Sequence, residues 1–121
     1  DAAFSKAEMH DAFVLFLKFL KANLNGQTAV RVDNSWASQS LIIQGFGQIA
    51  APDMIIREDS AARDLKFLAG LVDKQAPDFE IPNERYPVAL SDLYSAEIEK
   101  HAQDAYRLDY TTFGFESLSI R

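Results

Sequence analysis

Apolar positions recur at helical spacing along most of this chain. Phe13, Phe16, Leu17, Leu20 and Leu24 stand three or four residues apart, the spacing that lines one side of an α-helix. Val14, Leu15 and Phe19 widen that side well beyond one stripe, so the helix is expected to be covered on more than one face. Ser5-Lys-Ala-Glu8 has capping-box spacing at its start. Asn25-Gly26 ends it, with Gly26 suited to a left-handed backbone. A second helix is expected over Ser38 to Ala50, with Leu41, Ile42, Phe46 and Ile49 turned inward and Ala51-Pro52 as its stop. A third begins at Asp59-Ser60 and turns Leu65, Leu68 and Val72 inward, supported by Phe67 and Leu71. A last helix is capped by Ser95 and places Ile98, Ala102, Ala105, Tyr106, Asp109 and Phe113 on one face. Gly114 stops it, and Phe115 is expected to tuck back over the end.

Two runs depart from this pattern. Thr28 to Val32 is β-prone, and Asp53-Met-Ile-Ile-Arg-Glu58 reads as a buried strand with a charged exit. With the helix between them they form a candidate βαβ unit, which sets the strands parallel. Two strands do not make a stable sheet in water, so this reading requires further strands from elsewhere in the protein; the alternative is an all-helical domain in which Met54, Ile55 and Ile56 belong to a loop or a helix. Asp33-Asn34-Ser35 forms a turn, and Ala76 to Pro87, with three of the four prolines, forms an irregular loop. No internal repeat, low-complexity tract or linker divides residues 1–121, which read as one segment.

Composition narrows the functional classes. The chain has 121 residues, 48% of them hydrophobic, enough for one small domain with a core. A net charge of −6 argues against a general nucleic-acid binder, which displaces counterions with a basic surface. It leaves room for a small anionic ligand held by local cations. The absence of cysteine excludes disulfides, thiolate metal sites and cysteine nucleophiles, and fits a cytoplasmic protein. No apolar run approaches the ~20 residues of a membrane span. The sequence opens on Asp-Ala-Ala-Phe, without an initiator Met or a signal-peptide pattern, and further sequence upstream is expected.

Three stretches carry a family resemblance. Asp53-Met-Ile-Ile-Arg57-Glu58-Asp59, followed by Asp64-Leu65, resembles a sulfotransferase segment in which a strand ends in an aromatic or basic residue, then Glu, an acidic stretch and Asp-Leu. Tyr106-Arg-Leu-Asp109, followed by Phe113-Gly114-Phe115, resembles the closing helix of that family. Asn34-Ser-Trp36-Ala-Ser-Gln39 is similar to the His-Trp-x-x-Gln stretch of its Golgi-type and bacterial carbohydrate branch, with Asn34-Ser35 where that branch has a His before Trp. The resemblance spans roughly residues 9 to 118. It implies an α/β fold: the C-terminal, mostly helical part of a P-loop-like parallel-sheet domain, with about four helices and two short strands. It also implies transfer of a sulfuryl group from PAPS to a hydroxyl or amine on a carbohydrate or small molecule. Family members hold PAPS on an N-terminal strand-loop-helix with a Lys-Thr/Ser-Gly loop. That donor-binding part is expected in the missing N-terminal segment of the same protein, because Gln44-Gly45-Phe46-Gly47 is only Gly-x-Gly, lies in an expected helix and has no Lys after it. Helix packing is its expected role, and the chain alone is expected to be inactive.

Candidate binding residues follow. Trp36, the only tryptophan, suits a sugar or nucleotide pocket wall, although partial core burial is the more common reason for a Trp. Asn34 and Gln39 suit hydrogen bonds to an acceptor hydroxyl, and equally loop capping and helix starting. Arg57 stands at the C-terminal end of the candidate strand, where α/β sheets bind ligands. Arg suits a sulfate or phosphate, but an ion pair with Glu58, Asp59 or Asp64 is the favoured reading here. His10 and His101 lack a third ligand in register for a metal, and His101 pairs with Glu97 on a helix face. No catalytic residue, and no metal, is assigned. The alternative is a noncatalytic helical interaction module whose apolar first helix meets a partner.

Overall fold

The computed structural model describes residues 4–82 and 88–117. All its regular structure is helical: α1 (Lys6–Leu24), α2 (Gln39–Gly47), a 3-10 turn (Glu58–Ser60), α3 (Ala61–Leu71), α4 (Leu90–Leu93), α5 (Ala96–Ala105) and α6 (Arg107–Phe113). The expected α/β architecture is overturned, since the described residues contain no strand and no sheet. Residues 28–32 and 53–57 are irregular. A strand needs a neighbour to bond its backbone, and here other groups take that place. The Val30 carbonyl accepts from the Asn23 side-chain amide at 2.7 Å and from the Thr28 hydroxyl at 3.3 Å. Arg57, expected at the end of the second strand, instead caps the 3-10 turn, and its carbonyl accepts from the Ser60 N–H.

The described residues fall into two compact units, one of residues 4–49 and 88–117, the other of residues 50–82. In the first, α1 packs against α5 and α4, α5 against α6, and α2 against α6. Val14, Leu17, Leu20 and Ile98 form the core, flanked by the half-buried Phe13, Phe19, Trp36, Leu93, Ala102, Ala105 and Tyr106. The buried positions of α1 run Val14, Leu17, Leu20, Asn23. Each three-residue step falls short of a full turn by about 60°, so the stripe winds from the α5 side round toward the loop at residues 28–36. Leu15 and Phe16 stay exposed, so the cover over α1 is partial.

Helix ends follow their local chemistry. Ser5 and Glu8 close a reciprocal capping box. The Ser38 and Ser95 hydroxyls accept from Leu41 and Ile98 N–H at the starts of α2 and α5. Gly26 and Gly114 take the left-handed backbone at φ +69° and +65°. The expected last helix is in fact two, α5 and α6, broken at Tyr106 with φ −111° and ψ 31°. Phe115 does fold back: its N–H donates to the Tyr110 carbonyl, and its ring meets those of Tyr110 and Phe113 at 5.9 and 5.6 Å.

The inward face expected of α2 is also corrected. Leu41, Ile42, Phe46 and Ile49 are exposed, Phe46 by 69% and Ile49 by 89%. The helix buries Ser40 instead. Gly45 and Gly47 have open space where a Cβ would project, so they serve no close helix packing. In the second unit, Ala61 is the buried hydrophobic residue, Leu65 and Leu68 are half-buried, and Phe67, Leu71 and Val72 are exposed. Of the expected Ala76 to Pro87 loop, residues 76–82 are irregular and residues 83–87 lie outside the described part.

Candidate functional site

A buried polar node joins the loop before α2 to the α5–α6 junction. Asn23, in the last turn of α1 and 1% exposed, donates to Thr28 Oγ1 at 2.9 Å and to the Val30 carbonyl. Its Oδ1 accepts from Trp36 Nε1–H at 3.0 Å. The indole stands edge-on to Phe16 and Phe19, with centroids 6.1 and 6.4 Å away. The Tyr106 hydroxyl donates to the Trp36 carbonyl at 2.7 Å. Burial, with the Asp109 charge beside it, raises the Tyr106 phenol above its ordinary value.

Asp109 stands three residues after Tyr106, one helical neighbour along, and is 4% exposed. Its Oδ1 accepts from Ser38 Oγ at 2.7 Å, Ser40 N–H at 2.9 Å and Ser40 Oγ at 2.6 Å. Its Oδ2 accepts from Gln39 N–H at 3.0 Å. The carboxylate therefore satisfies first-turn amides of α2 that an isolated helix leaves open, and its charge suits the positive helix end. Burial acts to raise its carboxyl. The Ser40 hydroxyl and N–H, the Ser38 hydroxyl and the Gln39 N–H outweigh it and hold the group below its ordinary 3.8.

Beside this node lies a groove of about 250 Å³, lined by Trp36, Gln39, Tyr106, Asp109, Tyr110 and Phe115 among others. It is smaller than the ~300 Å³ at which drug-sized sites begin, so it admits one ring or the end of a larger molecule. Tyr110 donates to Glu99 at 3.1 Å. Burial, together with the Glu99 carboxylate and Tyr94, pushes its phenol up to about 12, so it stays a neutral donor at physiological pH.

The four candidate binding residues divide. Trp36 and Gln39 share the groove. The Gln39 side chain is exposed, while its backbone is held by Asp109. Asn34 sits exposed in the preceding turn, which is organised by Asp33: its Oδ1 accepts from Ser35 N–H at 2.8 Å and Ser35 Oγ at 2.6 Å. Arg57 belongs to the second unit and pairs with Asp59 at 2.7 Å. His101 meets Glu97 at 4.0 Å as a helix-face pair, and His10 Nε2 lies 2.9 Å from Ser95 Oγ. Among the described residues no three His, Asp or Glu side chains converge as a metal site.

Sequence reasoning placed Tyr106 and Asp109 on the packing face of the last helix and missed the polar latch they make. It also missed Asn23, Ser38 and Ser40. The one signal available was Ser-x-Ser at a helix start, which offers two hydroxyls and two free amides to an acceptor. Gly45-Phe46-Gly47 lies within α2, where its backbone is committed to the helix and no Lys follows. Comparison with protein-family models, with curated proteins and with solved structures finds no match to this chain.

Proposed function

We propose that this chain is the acceptor-side, C-terminal part of a cytoplasmic PAPS-dependent sulfotransferase. The intact protein transfers a sulfuryl group to a hydroxyl or amine of a carbohydrate or small molecule. The donor-binding part belongs to an N-terminal segment of the same protein, and the chain alone is inactive. One observation carries the reading. Two of the stretches that resemble the family, Trp36-Ala-Ser-Gln39 and Tyr106-Arg-Leu-Asp109, are some 70 residues apart in sequence yet bond to each other, through Tyr106 to Trp36 and Asp109 to Gln39. The groove beside them offers aromatic faces and an exposed amide, which suits one ring of a neutral, hydroxylated acceptor.

The test is sulfuryl transfer from labelled PAPS to a panel of saccharides and small hydroxyl or amine compounds. It is run on the protein encoded by the whole reading frame that contains this chain. The same protein and the isolated chain are titrated calorimetrically with adenosine 3′,5′-bisphosphate. Donor binding and transfer by the whole protein, with no binding by the chain, is the expected result. A whole protein that neither binds nor transfers refutes the reading, and tight binding by the chain alone would misplace the donor site.

A second reading, a noncatalytic helical interaction module, draws on the exposed apolar side chains of α2 and α3, among them Phe46, Phe67 and Leu71. Sedimentation and calorimetry separate the two. A monomer with a sharp unfolding transition favours the module, and aggregation or molten behaviour of the isolated chain favours a part of something larger.

A further inference from the structure

We propose that Asp109 is a positioning residue: its carboxylate latches α2 to α6 and thereby fixes the loop that carries Trp36 and Gln39. The mechanical half of this statement stands on geometry alone. Its functional half rests on the sulfotransferase reading.

Among the described elements, α2 packs against α6 and no other. None of its apolar residues is buried, Ile43 being only half-buried, and Ser40 is its one buried side chain. Apolar burial, the usual source of helix docking, is therefore nearly absent here. What remains is polar and concentrated on one group. Four donors from Ser38, Gln39 and Ser40 converge on the two oxygens of Asp109. One face of the α5–α6 junction thus grips the loop twice, at the Trp36 carbonyl through Tyr106 and at residues 38–40 through Asp109.

The latch needs an acceptor on both oxygens. In Asp109→Asn one oxygen becomes an NH₂ donor. It then faces either the Gln39 N–H or the three donors gathered on Oδ1, so one side of the node is left in conflict whichever way the amide turns. Ser40→Ala is gentler, removing one hydroxyl and keeping the carboxylate.

Hydrogen exchange followed by mass spectrometry on this chain tests the mechanical half. In Asp109→Asn, amides of residues 36–47 should exchange about tenfold faster or more, while those of α1 and α5 keep their protection. If that variant unfolds throughout, Ser40→Ala must still speed exchange in α2 alone. Unchanged α2 protection in both variants, or an equal rise in α1 and α5 under Ser40→Ala, overturns the latch. In the whole protein, Asp109→Asn should raise the acceptor KM about tenfold or more while kcat changes less than threefold. A wild-type protein without transfer activity sinks the sulfotransferase reading and leaves the exchange result standing. An active wild type whose acceptor KM is unmoved by Asp109→Asn sinks the positioning role.

Discussion

Asn23 serves three partners at once, and replacing it tests how far the first unit depends on a polar node. In Asn23→Leu, the Trp36 Nε1–H and the Val30 carbonyl both lose a partner in a part-buried setting. The Val30 carbonyl keeps the Thr28 hydroxyl, so the cost falls on the orphaned indole N–H, about 1–3 kcal/mol, and the urea midpoint should fall with little change in slope. Trp36 is the sole tryptophan, so its fluorescence reports the change directly. Asp109 makes a second prediction, in pH. Its folded carboxyl lies below the unfolded 3.8. The stability it contributes is therefore present above that value and is lost as pH falls through the folded value. Protection of α2 should be level above about pH 5 and decline only in stronger acid. Asp109→Asn should abolish that decline, and a decline that persists in the variant would point to another carboxylate. Neither node was legible in the sequence. Asn23 stands out by no local pattern, and Asp109 reads only as one more position on the packing face of the last helix, because the donors and acceptors that define them arrive from other segments.

At the scale of elements, what was legible was what is local. Capping boxes, N-cap serines and left-handed glycines act over three or four residues, so Ser5, Glu8, Ser95, Gly26 and Gly114 could be read directly. The strands failed for the opposite reason. Val30, Val32, Met54, Ile55 and Ile56 have the right residue types, but a strand exists only when a second chain segment accepts its bonds. Periodicity likewise finds that α2 has an apolar face and says nothing about what the face meets. The α5–α6 break escaped because both helices keep the same spacing across Tyr106. Gly114 offers the element-scale test. It lies at φ +65° with open space at its Cβ position, so Gly114→Ala meets backbone strain and no clash. A cost of about 1–2 kcal/mol is expected, read as a lower thermal midpoint. A neutral result would mean that the end of α6 reforms without a left-handed turn.

The stability of the first unit concentrates in a small place. Val14, Leu17, Leu20 and Ile98 are its buried hydrophobic side chains, and all lie where α1 meets α5. The second unit has Ala61 alone in that class. A methyl group gives far less transfer energy than a Leu or Ile side chain, so most hydrophobic stabilisation in the described residues comes from one helix pair. That makes the response to mutation strongly unequal. Ile98→Ala removes atoms from the middle of that pair and should cost about 2–5 kcal/mol. Leu71→Ser acts on a side chain that is 67% exposed and should stay within about 0.5 kcal/mol, although the two substitutions delete comparable apolar volume. Urea unfolding followed by circular dichroism and by Trp36 fluorescence measures both. Fluorescence watches the first unit, which holds Trp36, while circular dichroism sums helices from both units. A large cost for Leu71→Ser would show that the apolar face of α3 is covered in solution. Combined with a concentration-dependent midpoint, the same result would identify the cover as a second copy of the chain.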